Sequence, residues 1–138
     1  MLFFILMSTG NVFSQDNVNV FQQNAIRYSS SFFHEDDRFT ILGNMEINGK
    51  KIVFANNVHI WGEAGRATWR FLLFLDDGTF LGMYTGIVFD PTEIKIEGQR
   101  ILFPFNPELG NVMEFSDSIP DRVWLDGEVF LFLKISDG

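Results

Sequence analysis

Four tight-turn signals separate stretches rich in β-branched and aromatic residues, and they constrain the fold of this chain more than any other feature. Asn48-Gly49, Asp77-Gly78 and Asp126-Gly127 are residue pairs that accept the positive φ angles of two-residue hairpin turns. Gly98 is typical of the first loop position of a type II′ turn. We therefore expect four antiparallel hairpins, with Gly49, Gly78 and Gly127 at positive φ.

The first turn predicts a complete register for the strands on either side of it. The stretch Arg38–Ile47 alternates with the period of a strand, which places Phe39, Ile41, Gly43, Met45 and Ile47 on one side. A two-residue loop at Asn48-Gly49 then pairs Glu46 with Lys51, Met45 with Ile52 and Gly43 with Phe54. This pairing places opposite charges across from each other at Glu46 and Lys51, and apolar side chains at Met45 and Ile52. It also places the small Gly43 opposite the large Phe54.

The other turns predict further pairs in the same way. Around Asp77-Gly78, Leu75 is expected opposite Phe80 and Phe71 opposite Tyr84. Gly98 places Glu97 opposite Arg100, and Asp126-Gly127 joins a strand ending at Leu125 to one running from Val129 to Leu133. Both faces of the strand that precedes Asp77-Gly78 are apolar over much of its length, which indicates a strand covered on both sides. One face carries Trp69, Phe71, Leu73 and Leu75, and the other carries Leu72 and Phe74.

The expected fold is all-β: an antiparallel meander of about eight to ten short strands that closes into a small barrel, with a β-sandwich as the alternative. The 138 residues are typical of one domain, and 17 phenylalanines fit pleated, half-buried surfaces. The best helical candidate is the short stretch Val18–Ile26. Residues 15–138 are therefore interpreted as a single all-β domain.

Residues 1–14 have the layout of the second half of a secretory signal peptide. An apolar core, Leu2–Met7, gives way to small residues, with Val12 and Ser14 at the two positions that specify cleavage. The basic residues that precede such a core are missing, which indicates a start assigned too far downstream. The run is too short for a stable membrane span. We expect cleavage after Ser14 and a secreted or periplasmic protein; the alternative is a buried first strand around Phe3–Ile5.

Charge and cysteine content exclude several classes of function. Ten basic residues against 18 acidic ones give a formal net charge of −8, which repels nucleic acids and anionic lipids. The chain has no cysteine, so it has no disulfides, thiol nucleophiles or thiolate metal sites. An acidic surface can steer a basic protein partner. No motif for a cofactor is present, and none is expected.

The segment His34–Arg38, HEDDR, is the densest cluster of hard ligands in the chain. His34 and Asp36 are the candidate ligands for a cation, because carboxylate oxygens and imidazole both bind metal ions. The competing interpretation is a solvated loop between two elements, since neighbouring acids do not converge on one ion without a shaped loop. No glycine follows at the spacing of an EF-hand.

Four large aromatic residues are the candidate ligand contacts: Trp61, Trp69, Tyr84 and Trp124. Such side chains can stack on a saccharide or line an apolar pocket at the mouth of a barrel. The competing interpretation places them in an ordinary core.

Three functions remain open at this stage. The first is a non-catalytic, exported, acidic β domain that binds a protein partner, in the manner of an inhibitor or an immunity protein. The second is a β-barrel that carries a small apolar or saccharide ligand. The third is a small hydrolase or isomerase that uses carboxylates, for which no catalytic residues can be assigned because such pairs leave no spacing in the sequence.

Overall fold

The computed structural model describes residues 15–135, and in this range the chain forms one α-helix, two short 3-10 helices and nine strands. Helix α1 spans Gln15–Tyr28 and contains the predicted helical stretch. The strands are β1 (Arg38–Ile47), β2 (Lys50–Trp61), β3 (Arg66–Leu75), β4 (Phe80–Thr85), β5 (Lys95–Glu97), β6 (Arg100–Leu102), β7 (Val112–Glu114), β8 (Arg122–Leu125) and β9 (Glu128–Lys134). The expected signal peptide, residues 1–14, lies outside the described residues.

The first hairpin has the predicted register. Glu46 pairs with Lys51, Met45 with Ile52 and Gly43 with Phe54. Asn48 and Gly49 have φ angles of 55° and 80°, as a type I′ turn requires. Nothing lies within 4 Å of a Cβ built on Gly49. The preference for glycine at this position therefore comes from the backbone alone.

A β-bulge between Ile41 and Gly43 interrupts the alternation of β1. Phe39 and Ile41 pack against the apolar cluster beneath α1, whereas Met45 and Ile47 belong to the cluster inside the curled sheet. The prediction that all of these residues share one side is therefore wrong. An extra residue shifts a two-residue alternation by one position, so side chains before and after a bulge face opposite sides.

A second bulge changes the hairpin between β3 and β4. Phe71 pairs with Tyr84 as predicted, but the expected pairing of Leu75 with Phe80 is wrong because Phe80 lies opposite Phe74. The register shifts by one residue near the turn. The loop consequently contains residues 76–78 instead of two residues.

The remaining turns agree with the sequence. Gly98 has a φ of 61°, and Glu97 pairs with Arg100 across it. Asp126 and Gly127 have φ angles of 51° and 78°, and Leu125 pairs with Glu128. Gly78 also has positive φ, at 100°.

The strands form a six-stranded antiparallel sheet and a small three-stranded sheet. The large sheet has the order β1-β2-β3-β4-β9-β8 and is curled into a half-barrel, while β5, β6 and β7 form the small sheet. The predicted antiparallel meander is confirmed for the first four strands. It is then interrupted, because β9 rather than β5 pairs with β4.

Strand β3 separates two apolar clusters, which confirms that both of its faces are covered. Phe71 and Leu73 belong to the interior of the half-barrel, together with Ile101 and Met113 of the small sheet. Leu72 and Phe74 face the other way and pack with residues of α1. The helix thus forms a second layer on the outer face of the sheet, and its Phe21 ring contacts the Phe74 ring at 5.2 Å.

Candidate functional site

Tyr84, one of the four predicted ligand contacts, lies in the interior of the half-barrel with no exposed surface. Its ring is packed between Phe71 and Phe132, at centroid distances of 6.3 and 5.1 Å. The hydroxyl donates a hydrogen bond of 2.6 Å to the carbonyl oxygen of Pro120. Burial raises the pKa of the Tyr84 phenol well above its usual range, and the negative charge of Asp121 raises it further. Tyr84 thereby ties β4 to the segment that precedes β8.

The three tryptophans are placed at separate positions. Trp61 is exposed at the end of β2, where its Nε1 donates to the Thr68 hydroxyl at 3.0 Å. Trp69 is half-buried on β3, and Trp124 is exposed on β8. Strands β3, β4 and β9 lie between β2 and β8 in the sheet. The structure therefore does not bring Trp61 and Trp124 together into one stacking platform.

A polar cluster around Asp37 includes His34, one of the two candidate cation ligands. The two histidines of the chain, His34 and His59, stack on each other with their ring centroids 4.3 Å apart. The Asp37 side chain is completely buried, and its Oδ1 lies 2.6 Å from His59 Nδ1. Its Oδ2 accepts hydrogen bonds from the backbone N–H of His34 and from Asn57 Nδ2, at 3.0 and 3.1 Å. Asp36, the predicted partner of His34, is exposed.

A carboxylate only accepts hydrogen bonds, so Asp37 holds His59 as a donor at Nδ1 and leaves the Nε2 atom for another contact. His59 lines a cleft of about 120 Å³ beside Asp36 and Arg38. An imidazole oriented in this way can transfer a proton or bind a ligand. However, no serine or threonine lines this cleft, so His59 has no hydroxyl nucleophile there to activate. Among residues 15–135, no group of three or more His, Asp or Glu side chains could hold a metal ion.

Arg70 of β3 completes the polar cluster. Its Nη1 donates to the carbonyl oxygen of Phe32 at 3.0 Å, and its guanidinium lies 5.4 Å from the centre of the Phe33 ring. Burial lowers the pKa of Arg70, and the charge of Asp37 opposes that shift. Together, Asp37 and Arg70 fasten the segment between α1 and β1 to the sheet. Asp37 could not be singled out from the sequence, since nothing in three consecutive acids shows which one is buried.

A second cleft, of about 290 Å³, lies at one end of the half-barrel. Its walls are mainly apolar, with polar groups at the margin; the lining residues are Ile47, Asn48, Lys50, Ile52, Leu75, Leu81, Asp117, Ser118 and Ile119. Its volume is close to the lower limit for a small-molecule site. None of the four predicted aromatic contacts lines it.

The outer face of β9 carries three exposed apolar side chains. Val129, Leu131 and Leu133 are 58%, 64% and 49% exposed, and alternation puts all three on one side of the strand. Leu133 pairs with Met83 of β4, which packs in the cluster beneath α1, so this side is the outer face of the sheet. Phe132 points to the interior, where its ring contacts Tyr84.

Strand β8 extends the apolar surface and adds a cation to it. Trp124 lies directly opposite Val129, and Arg122 lies directly opposite Leu131. Residues directly opposite each other in an antiparallel pair project on the same side. Trp124 is 51% exposed. We name this surface, formed by Arg122, Trp124, Val129, Leu131 and Leu133, the outer apolar face.

The outer apolar face exists because the helix covers only part of the sheet. Among the described residues, α1 makes its main contacts with β4 and β1, and its rings reach Phe74 and Phe80. Monomeric proteins seldom expose neighbouring large apolar side chains, and such patches mark interaction sites. Tryptophan and arginine are also the residue types that contribute most to binding energy at protein interfaces.

Within residues 15–135, α1 is too short and too polar to span a membrane. Comparisons with protein-family models, with curated proteins and with solved structures found no match for this chain.

Proposed function

We propose that this chain is a non-catalytic, exported, acidic β domain that binds a protein partner through the outer apolar face. One observation carries the proposal: Trp124, Val129, Leu131 and Leu133 are each about half exposed or more, and they adjoin one another on one side of paired strands. Covering them would remove apolar surface from water, which is the main driving force of protein association.

The charge of the chain supports a partner that is basic overall. A formal charge of −8 attracts a cationic protein over several ångströms and accelerates encounter, while the apolar face supplies the short-range contact. Inhibitors and immunity proteins combine these two features. The leader-like composition of residues 1–14 supports a secreted or periplasmic location.

The experiment is a comparative capture from an extract of the cells that produce the protein. The wild-type chain and the double variant Leu131→Ser/Leu133→Ser serve as baits, with Ile60→Ser as the matched control. Ile60 is 49% exposed on β2, far from β9 in the sheet order. We expect a basic protein that is retained by the wild type and by Ile60→Ser but lost from the double variant.

Serine at these exposed positions should leave the fold intact, because surface substitutions usually change stability by about 0.5 kcal/mol or less. Circular dichroism and urea unfolding of each bait check this requirement. The proposal is wrong if no protein in the extract depends on Leu131 and Leu133, at low or at physiological salt.

A second candidate function is carriage of a small apolar ligand, and the 290 Å³ cleft at the end of the half-barrel favours it. Substitution Ile119→Trp would fill this cleft without touching the outer apolar face. If the cleft holds a ligand, a compound that co-purifies with the wild type should be absent from Ile119→Trp, as mass spectrometry of a denatured sample would show. Equal recovery from both proteins would contradict this function.

A further inference from the structure

We propose, on the basis of the function proposed above, that the partner presents a carboxylate to Arg122 within the contact. The interface would then consist of apolar side chains around one buried ion pair. This inference concerns local chemistry, so it is compatible with a partner that is basic overall.

Arg122 is the first residue of the edge strand β8, and it adjoins the apolar residues of the face. It is directly opposite Leu131 in the β8–β9 pair, and Trp124 follows on the same side of β8. Val129 pairs with Trp124, and Leu133 continues the row along β9. A partner that covers Leu131 and Trp124 therefore also meets the guanidinium of Arg122.

Within residues 15–135, no acidic side chain forms an ion pair with Arg122. The ion pair between His59 and Asp37 is the only one within residues 15–135. The nearest acid along the chain, Asp121, is exposed and forms no ion pair with Arg122. Outside the described residues, residues 1–14 contain no charged side chain and residues 136–138 contain one, that of Asp137.

Desolvation decides which chemistry the partner must have. Burying a cation without a partner costs several kcal/mol, which would cancel much of the gain from the apolar contacts. A carboxylate on the partner offsets that cost, because the planar guanidinium donates two parallel hydrogen bonds to it. Charge complementarity thus favours an anionic group at this point of the partner surface.

The experiment adds three baits to the comparative capture. Arg122→Gln removes the charge and Arg122→Glu reverses it, while Lys134→Glu is the matched control. Lys134 follows Leu133, so it projects from the opposite side of β9. We expect both Arg122 variants to reduce affinity for the captured protein at least about tenfold, and Lys134→Glu to change it by less than about threefold.

The outcomes separate this inference from the proposed function. If Leu131→Ser/Leu133→Ser loses the partner while Arg122→Glu binds it as tightly as the wild type does, the apolar docking stands and the ion pair is wrong. If the captured protein is a second copy of this chain, light scattering will show a dimer that the serine variant lacks, and a separate partner is excluded. If capture depends on none of these residues, both proposals fail.

Discussion

Replacing Asp37 is the sharpest test of the polar cluster, because its neighbour Asp36 provides a control of identical chemistry. Asp37 is buried and accepts hydrogen bonds from three donors, which belong to His34, Asn57 and His59. Asp36 is exposed. The substitutions Asp37→Asn and Asp36→Asn remove the same charge from adjacent positions, so a difference between them measures the cluster alone.

The expected magnitude follows from the number of donors. Asparagine at position 37 keeps one carbonyl oxygen for His34 and Asn57, and its amide can donate to His59 Nδ1 once the imidazole takes its other tautomer. The loss of charge assistance in these three contacts should reduce the free energy of unfolding by about 2 kcal/mol. Leucine at position 37 leaves all three donors unpaired and should cost about 4 kcal/mol. Asp36→Asn should change stability by about 0.5 kcal/mol or less.

Urea unfolding at neutral pH, followed by tryptophan fluorescence, measures these differences by linear extrapolation. Asp36→Asn should be the most stable of the three variants, Asp37→Asn should be less stable, and Asp37→Leu should be the least stable. If Asp37→Asn and Asp36→Asn unfold at the same urea concentration, with equal slopes, the buried carboxylate does not hold the segment between α1 and β1.

Two further predictions concern Tyr84 and the glycines. Tyr84→Phe should reduce the free energy of unfolding by about 1 kcal/mol at neutral pH, because it removes the hydrogen bond to Pro120. The raised pKa keeps the phenol of the folded protein protonated at a pH where the phenol of the unfolded chain ionises. The stability of the wild type should therefore fall as pH rises above about 10, more steeply than that of the variant. Gly82→Ala should cost about 3 kcal/mol, because its Cβ would lie 2.4 Å from the Leu133 carbonyl oxygen. Gly49→Ala, with open space around it, should cost about 1 kcal/mol. Urea unfolding distinguishes each pair; a flat alkaline difference or equal costs for the two glycines would contradict these assignments.

The sequence predicted the hairpins well because their determinants are local. Asn48-Gly49 sets both the turn and the pairing of Glu46 with Lys51, so no distant residue is needed. The bulge at Ile41 was not predictable, because Phe39, Ile41, Met45 and Ile47 alternate without interruption in the sequence. A bulge is defined by the pairing of two strands, because two residues of one strand oppose one residue of the other. The bulge in β1 is therefore visible only in its register with β2.

The polar cluster depends on tertiary contacts that leave no signal in the sequence. Asp37 is buried because Asn57 and His59 reach it from β2, twenty residues or more along the chain. Nothing in the sequence indicates that His34 and His59 stack on each other. The local pattern therefore does not show whether the sheet approaches Asp36 or Asp37.

Strands β3 and β9 have the same apolar pattern, and comparing them explains the outer apolar face. β3 and β9 both carry large apolar residues at odd and even positions, which predicts cover on both faces. In β3 that prediction is confirmed, since the helix packs over Leu72 and Phe74. In β9 the inner side is packed, but Leu131 remains 64% exposed. The described residues thus cover only the inner side of β9, although its composition is suited to cover on both sides. A partner protein on the outer apolar face would cover the other side.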